Sequence, residues 1–208
     1  ARGDLDGAKP GVVEVALERF SVKHGHSFAR NTSLGAASGG ALRIADVGTG
    51  SGCLAVALAK EFPEANVIAT DISPAALDIA RRNAARHSVA SRIEFRQCNL
   101  LDDVLHESRA TNHESRLFDL IVSNPPYVAH NEAGGLPREV REHEPHEALF
   151  GGAHGGELYA PLIAQAGKLL RSGGIFVCEI GFGALERVRP LFADQSVWSA
   201  VSVTNDLA

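Results

Sequence analysis

Apolar and polar positions follow two rhythms along this chain, and the switches between them mark out its elements. Val12 to Phe20 places apolar residues at 12, 13, 16, 17 and 20, a spacing that predicts a helix. Ser21 to Gly40, rich in Ser, Gly, Asn and His, reads as a long loop. A regular alternation then begins. A short apolar strand over 42–47 leads through a glycine turn into a helical run from Cys53 to Phe62. A second strand, Asn66 to Asp71, is followed by Ser73-Pro74, an N-cap and first-turn proline that open a helix reaching about His87. Strands are predicted at Arg92–Gln97 and Leu117–Ser123, with polar Asp102–Arg116 as a surface excursion between them. Asn124 to Gly156 is loop-rich, Glu157 to Leu170 helical, and Gly173-Gly174 a turn into the apolar strand Ile175–Ile180. A helix near Ala184–Phe192 and a strand near Val197–Val203 complete the pattern.

Strands alternating with helices predict an α/β fold: one twisted, mostly parallel, Rossmann-like sheet with helices on both faces and right-handed crossovers. The 208 residues fit a single domain. Within it, 1–41 form an irregular lead-in with a helix and a loop, and 42–208 form the core. No apolar run nears the roughly 20 residues of a membrane helix, and no secretory leader is recognised at residue 1. Three dispersed cysteines, Cys53, Cys98 and Cys178, favour a reducing compartment over a disulfide scaffold. The expected location is the cytoplasm, or a mitochondrial or plastid matrix in a eukaryote. The absence of Met leads us to expect a processed product or an excised domain. Net charge is −5, split into +2 over residues 1–100 and −7 over 101–208. The acidic second half argues against a large nucleic-acid footprint.

The chemistry concentrates in two segments. Asp46-Val47-Gly48-Thr49-Gly50-Ser51-Gly52 joins the first core strand to its helix, where backbone can approach a ligand closely. A GxG core alone also fits nicotinamide or flavin enzymes. Here an acid stands two residues before the first glycine, and Cys53 replaces the third glycine of the dinucleotide fingerprint. An acid at the mouth suits a cationic amino-acid ligand, and S-adenosylmethionine carries both an ammonium and a sulfonium. Asp71, 19 residues beyond Gly52, can accept from both ribose hydroxyls, or serve only as an acid at a helix start. Asn99 can meet an adenine amino edge or simply form a turn. The expected cofactor set is Asp46, Gly48, Thr49, Gly50, Gly52, Asp71, Ile72, Asn99, Leu100 and Asn124.

The second segment is Asn124-Pro125-Pro126-Tyr127, after the apolar strand. Two prolines fix the backbone and remove two donors. The side-chain oxygen of Asn124 and the carbonyl of Pro125 are left as a rigid pair of acceptors. Such a pair can hold both N–H groups of a planar amide or amine, with Tyr127 as a flat wall. Asn124, Pro125, Pro126 and Tyr127 are therefore the expected catalytic residues.

Asp46–Gly52, Asp71–Ala80 and Asn124–Tyr127 together resemble a class I S-adenosylmethionine-dependent methyltransferase of the amino-methylating branch. Glu144-Pro145, Ala148-Leu149, Gly151-Gly152, Gly155-Gly156, Leu158-Tyr159 and Glu179-Ile180-Gly181 resemble the release-factor glutamine methyltransferases, the HemK/PrmC family. The resemblance covers about residues 42–207. It implies S-adenosylmethionine as cofactor and, as substrate and partner, the glutamine of the GGQ loop of peptide chain release factors. Three departures stand beside it. Asp6-Gly7-Ala8-Lys9 occupies the place of the family's Arg-Pro-Glu-Thr element, Asn99 stands where an acid is usual, and the family's N-terminal helical domain and last strand are expected to be missing.

Two other functions stay open on sequence alone: adenine-N6 methylation of nucleic acid and a non-catalytic cofactor-binding module. No metal site is expected. In His143-Glu144-Pro145-His146-Glu147, Pro145 prevents the helix that would put two ligands on one face. Ser51 is no nucleophile elbow, since Thr49 stands where glycine is needed. The cysteines read as small core residues, and Glu179 as a structural hydrogen-bonding group.

Overall fold

The computed structural model describes residues 41–111, 118–131, 149–181 and 183–205, together with the backbone of 13–16. Seven strands form one sheet: β1 (Val13–Ala16), β2 (Arg43–Val47), β3 (Asn66–Asp71), β4 (Ile93–Gln97), β5 (Phe118–Ser123), β6 (Leu170–Ile180) and β7 (Ser202–Asn205). Their order is β4-β3-β2-β5-β6-β1-β7. The first five run parallel, and β1 is antiparallel to both of its neighbours. Among the described residues the helices are α1 (Cys53–Glu61), α2 (Pro74–Arg86), α3 (Asp102–Thr111), α4 (Tyr159–Leu169) and the single turn α5 (Leu185–Val188).

Adjacent residues of each central strand serve opposite faces, which is why these strands read as continuous apolar runs. Ile44, Val67, Leu120 and Ile175 pack with Ala55, Ala59 and Phe62 on the side of α1 and α2. Ala45, Ile68, Ile121 and Phe176 pack with Leu162, Ile163 and Ala166 of α4 on the other. There Phe192 and Trp198 meet edge-on at 5.4 Å, and both lie beside Phe176. No helix among the described residues is long and apolar enough to cross a membrane.

Five expectations are corrected. Within the helix expected at Val12–Phe20, the described residues Val13–Ala16 form a strand, where the β-branched residues Val13 and Val15 suit the antiparallel slot between β6 and β7. The excursion expected at Asp102–Arg116 contains α3. Asp102 and Asp103 occupy its first turn, where the helix dipole favours acids, and Leu101 and Val104 are buried beneath it. Gly173-Gly174 does not turn the chain but lies within β6. Gly173 has φ 75°, and the pairing with β5 shifts register beside it, between Phe118 and Leu120, so the glycines carry an irregular strand. The last strand begins at Ser202 rather than Val197, because Trp198 is drawn into the aromatic core ahead of it. The final helix shortens to α5 followed by a 3-10 turn, Arg189–Phe192, begun where Pro190 withholds an N–H. The loop expected at 21–40 lies outside the described residues.

The chain runs from β2 outward to β3 and β4, then returns to lay β5 and β6 on the opposite side. The crevice at the carboxyl ends of β2 and β5 is therefore the switch point where such sheets bind ligands.

Candidate functional site

The turn after β2 is built from hydrogen bonds before any ligand enters. Asp46 is fully buried, and its Oδ2 accepts the Thr49 hydroxyl at 2.6 Å and the Ala55 N–H at 2.9 Å. One carboxylate oxygen thus ties the turn to the first turn of α1. Burial pushes the Asp46 carboxyl up to about 6; those two bonds oppose the rise and the charge of Asp71 adds to it. Its Oδ1 is buried with no hydrogen-bond partner. The Thr49 N–H donates to the Thr70 carbonyl of β3 at 2.9 Å. Asn83 of α2 donates to the Ser51 carbonyl at 2.9 Å. A Cβ on Gly52 would lie 2.8 Å from Cβ of Ala80, so glycine is what lets α2 support the turn. At Gly48 and Gly50, both with positive φ, a Cβ would meet nothing within 4 Å. The outer wall of the turn is open.

Asp71, at the end of β3, faces the same opening. Its Oδ2 accepts the Gly50 N–H and its Oδ1 the Ser73 N–H, each at 2.8 Å. Each oxygen keeps a lone pair for a further donor. The helix cap itself is Ser73, whose hydroxyl oxygen accepts from Ala76 N–H. Ile72 is 63% exposed beside it. Asn99 and Leu100 follow β4, joined to this rim by the Cys98 N–H donating to the Asp71 carbonyl at 3.1 Å. Leu100 takes φ 51°, and the Asn99 side-chain nitrogen lies 3.5 Å from Asp102 Oδ2.

On the opposite side of β2, Val47 pairs with Ser123, and the Ser123 hydroxyl donates to the Val47 carbonyl at 2.8 Å. Gly48 and Asn124 consequently leave the sheet side by side. Asn124 is exposed at the rim, Pro125 is buried, and Pro126 and Tyr127 are half-buried. Burial first, then the charge and hydrogen bond of Glu179 on β6, raise the Tyr127 hydroxyl above its ordinary range. Beneath that ring lies Gly181, where a Cβ would fall 2.7 Å from Cδ2 of Tyr127. Tyr159 accepts the Gly181 N–H at 3.1 Å. A glycine turn and an Asn-Pro-Pro-Tyr edge thus flank one switch point of the sheet.

Residues 34–136 match the model of the family described as "Methyltransferase small domain". The chain resembles the class I methyltransferases. It is 44% identical over 164 residues to the release factor glutamine methyltransferase of Koribacter versatilis, covering 79% of this chain and 54% of that one. It is 41% identical to a bifunctional methyltransferase of Rickettsia conorii, over 80% of this chain and 30% of that one. Among solved structures, a ribosomal protein L11 methylase from Lactobacillus delbrueckii subsp. bulgaricus aligns with a TM-score of 0.52 and 27% identity, over 78% of this chain and 64% of that one. The chain spans about half the length, or less, of these curated relatives.

The site also contains residues that the sequence pattern left unassigned. Asn83 supports the glycine turn. Gln165 of α4 accepts the Leu101 N–H at 2.8 Å and donates to Asp102 at 2.9 Å, holding the loop after β4. Glu157 organises the loop before α4. Tertiary partners far along the chain give these residues their roles; only the paired glycines at 151–156 carried a visible signal. The cysteines differ from expectation: Cys178 is buried, but Cys53 is exposed on the first turn of α1 and Cys98 is half-buried. Cys53 lies off the buried face of α1, which is formed by Ala55, Val56 and Ala59. Among the described residues no group of three or more His, Cys, Asp or Glu could hold a metal ion. The histidines at 143 and 146 lie outside the described residues.

Proposed function

We propose that this methyltransferase carries a methyl group from S-adenosylmethionine to the side-chain amide nitrogen of the glutamine in the GGQ loop of a peptide chain release factor. The observation that carries the reading is the pairing of Val47 with Ser123, which sets the Asn124-Pro125 acceptors beside the open glycine turn. The name of the 44% identical relative supports the same substrate.

The residues present fit the cofactor. The buried, unpartnered Oδ1 of Asp46 suits a cationic ammonium close by. Open space at Gly48 and Gly50 admits an amino-acid chain, and the free lone pairs of Asp71 suit ribose hydroxyls. The exposed Ile72 would offer an apolar face to an adenine, and Asn99 and Leu100 stand on the same rim. When bound, S-adenosylmethionine supplies an electrophilic methyl on a sulfonium.

An amide nitrogen is a poor nucleophile because its lone pair is delocalised into the carbonyl. The Asn124 side-chain oxygen and the Pro125 carbonyl each accept one amide N–H, which orients the nitrogen for in-line attack. Being fixed acceptors, they also stabilise the positive charge that grows on nitrogen as the N–C bond forms and the methyl–sulfur bond breaks, with little reorganisation, and one N–H proton is then released to solvent. Pro126 keeps that edge rigid, and Tyr127, anchored by Glu179 and Gly181, walls the amide from water.

The test is methyl transfer from labelled cofactor to a release factor with an intact GGQ loop, beside a Gln→Ala factor and a DNA or RNA oligonucleotide. Labelling of the intact factor alone is expected. Equal labelling of the Gln→Ala factor removes the substrate assignment, and labelling of the oligonucleotide instead makes an adenine amine the acceptor.

A further inference from the structure

We propose that Glu157 is a positioning residue for this site: its carboxylate seats the loop 151–156 against the backbone of Pro126 and Tyr127, fixing the direction of the Asn124-Pro125 acceptors. The inference rests on the functional reading above and adds a residue to it.

The seat is a carboxylate wrapped by main chain. Oε1 of Glu157 accepts the His154 N–H and Oε2 the Gly156 N–H, both at 2.8 Å. A Cβ on Gly152 would fall 2.4 Å from the carboxylate carbon, so a side chain there would expel it. From this seat the loop presses on the catalytic edge. A Cβ on Gly151 would lie 2.2 Å from the Pro126 carbonyl oxygen, and one on Gly155 would lie 2.3 Å from that of Tyr127. Hydrogen bonds stitch the two segments together. The Val128 N–H donates to the Leu149 carbonyl, the Gly151 N–H to that of Val128, and the His130 N–H to that of Gly152, at 3.0 to 3.2 Å. On the far side, Arg187 of α5 donates to the His154 carbonyl at 3.0 Å.

Four of the six residues 151–156 are glycine, so without a seat the loop has wide backbone freedom to lose. The glycines permit the close approach, and the carboxylate selects one conformation from the many they allow. Glu157 needs its charge for this. The bonds from His154 and Gly156 hold its carboxyl down at about 2, ionised throughout the working range. A glutamine keeps the shape but turns an N–H₂ toward a backbone N–H, donor against donor. Because the side chain is exposed, its replacement removes little packing and leaves the core intact.

Glu157→Gln and Glu157→Ala, compared with the unaltered chain, test the assignment through three measurements: cofactor affinity by calorimetry, methyl transfer to the release factor, and amide hydrogen exchange. Both variants are expected to lose on the order of tenfold in kcat while the cofactor Kd stays within about twofold. Exchange should accelerate at Val128 and His130 and stay unchanged at Gly50. A kcat within about twofold of the unaltered chain, or a cofactor affinity that falls in step with kcat, overturns the positioning role. If the unaltered chain labels no release factor, the functional reading fails separately and exchange decides for the seat. Accelerated exchange at Val128 then upholds it, and unchanged exchange overturns it.

Discussion

Two buried aspartates sit at opposite ends of the parallel strands, and their surroundings differ in kind. Asp119, near the start of β5, accepts the Arg43 N–H at 2.7 Å and forms an ion pair with Arg171 at the start of β6. The guanidinium of Arg43 lies over the Phe118 ring, 5.3 Å from its centre. Charge there is answered by charge. Asp46, near the end of β2, is buried at least as deeply and accepts from a hydroxyl and an amide; the charge that acts on it is that of another acid, Asp71. Burying a carboxylate without a cation is unfavourable. The amino ends of the strands are arranged for stability, whereas the carboxyl ends carry a deficit that a cationic ligand would relieve.

The largest effect is expected where charge is already answered. Asp119→Ala strips Arg171 of its partner and the Arg43 N–H of its acceptor, and should destabilise by about 3–5 kcal/mol. Denaturant unfolding measures this, and the cofactor affinity of the folded fraction should not change. Asn124→Ala, at the other end, should leave unfolding almost untouched and lower kcat about 10²–10³-fold, the scale for removing one fixed transition-state contact. A fall in stability matching the fall in rate would show that the two ends do not divide these tasks.

Asp46 sharpens the contrast through pH. Its folded pKa of about 6 lies above the ordinary 3.8, so the folded state holds a proton that the unfolded chain has released. Relative to Asp46→Asn, the protein should lose on the order of 3 kcal/mol of stability as pH rises from about 4 to 6, with the cost constant above that. Thermal melts at several pH values read the difference, and a flat difference would place a cation beside Asp46. The smallest expected effect is that of Asp71→Ala. It should weaken S-adenosylmethionine by about 1.5–3 kcal/mol, the net worth of one hydrogen bond to a charged acceptor. Calorimetry showing equal affinity would remove the ribose role.

The same contrast explains what could be read from the amino acids alone. Buried strands declare themselves through continuous apolar runs such as Leu120-Ile121-Val122, and the turn through glycines between a strand and a helix. The Asn124–Tyr127 edge was legible because prolines restrict the backbone locally. Asp119 offered no such signal: its partners lie at 43 and 171, brought together only by the strand order. Val13–Ala16 deceived for the same reason. Its apolar spacing fits a helix, and only an open antiparallel position between two distant strands makes it a strand. Glu157 was placed at the start of a helix, while its action is on the loop before it. Local chemistry is written locally, and long-range partnership is not.

The position of β1 also sets an order in which the sheet can come apart. Among the described strands, β7 is paired only with β1, and β1 in turn with β6. Opening β1 therefore frees both ladders at once, whereas β7 can fray alone. The amides that β7 directs at β1 can thus be no better protected from solvent exchange than the β1 ladder itself. The protection of residues 202–205 is set by four residues almost two hundred positions earlier in the chain.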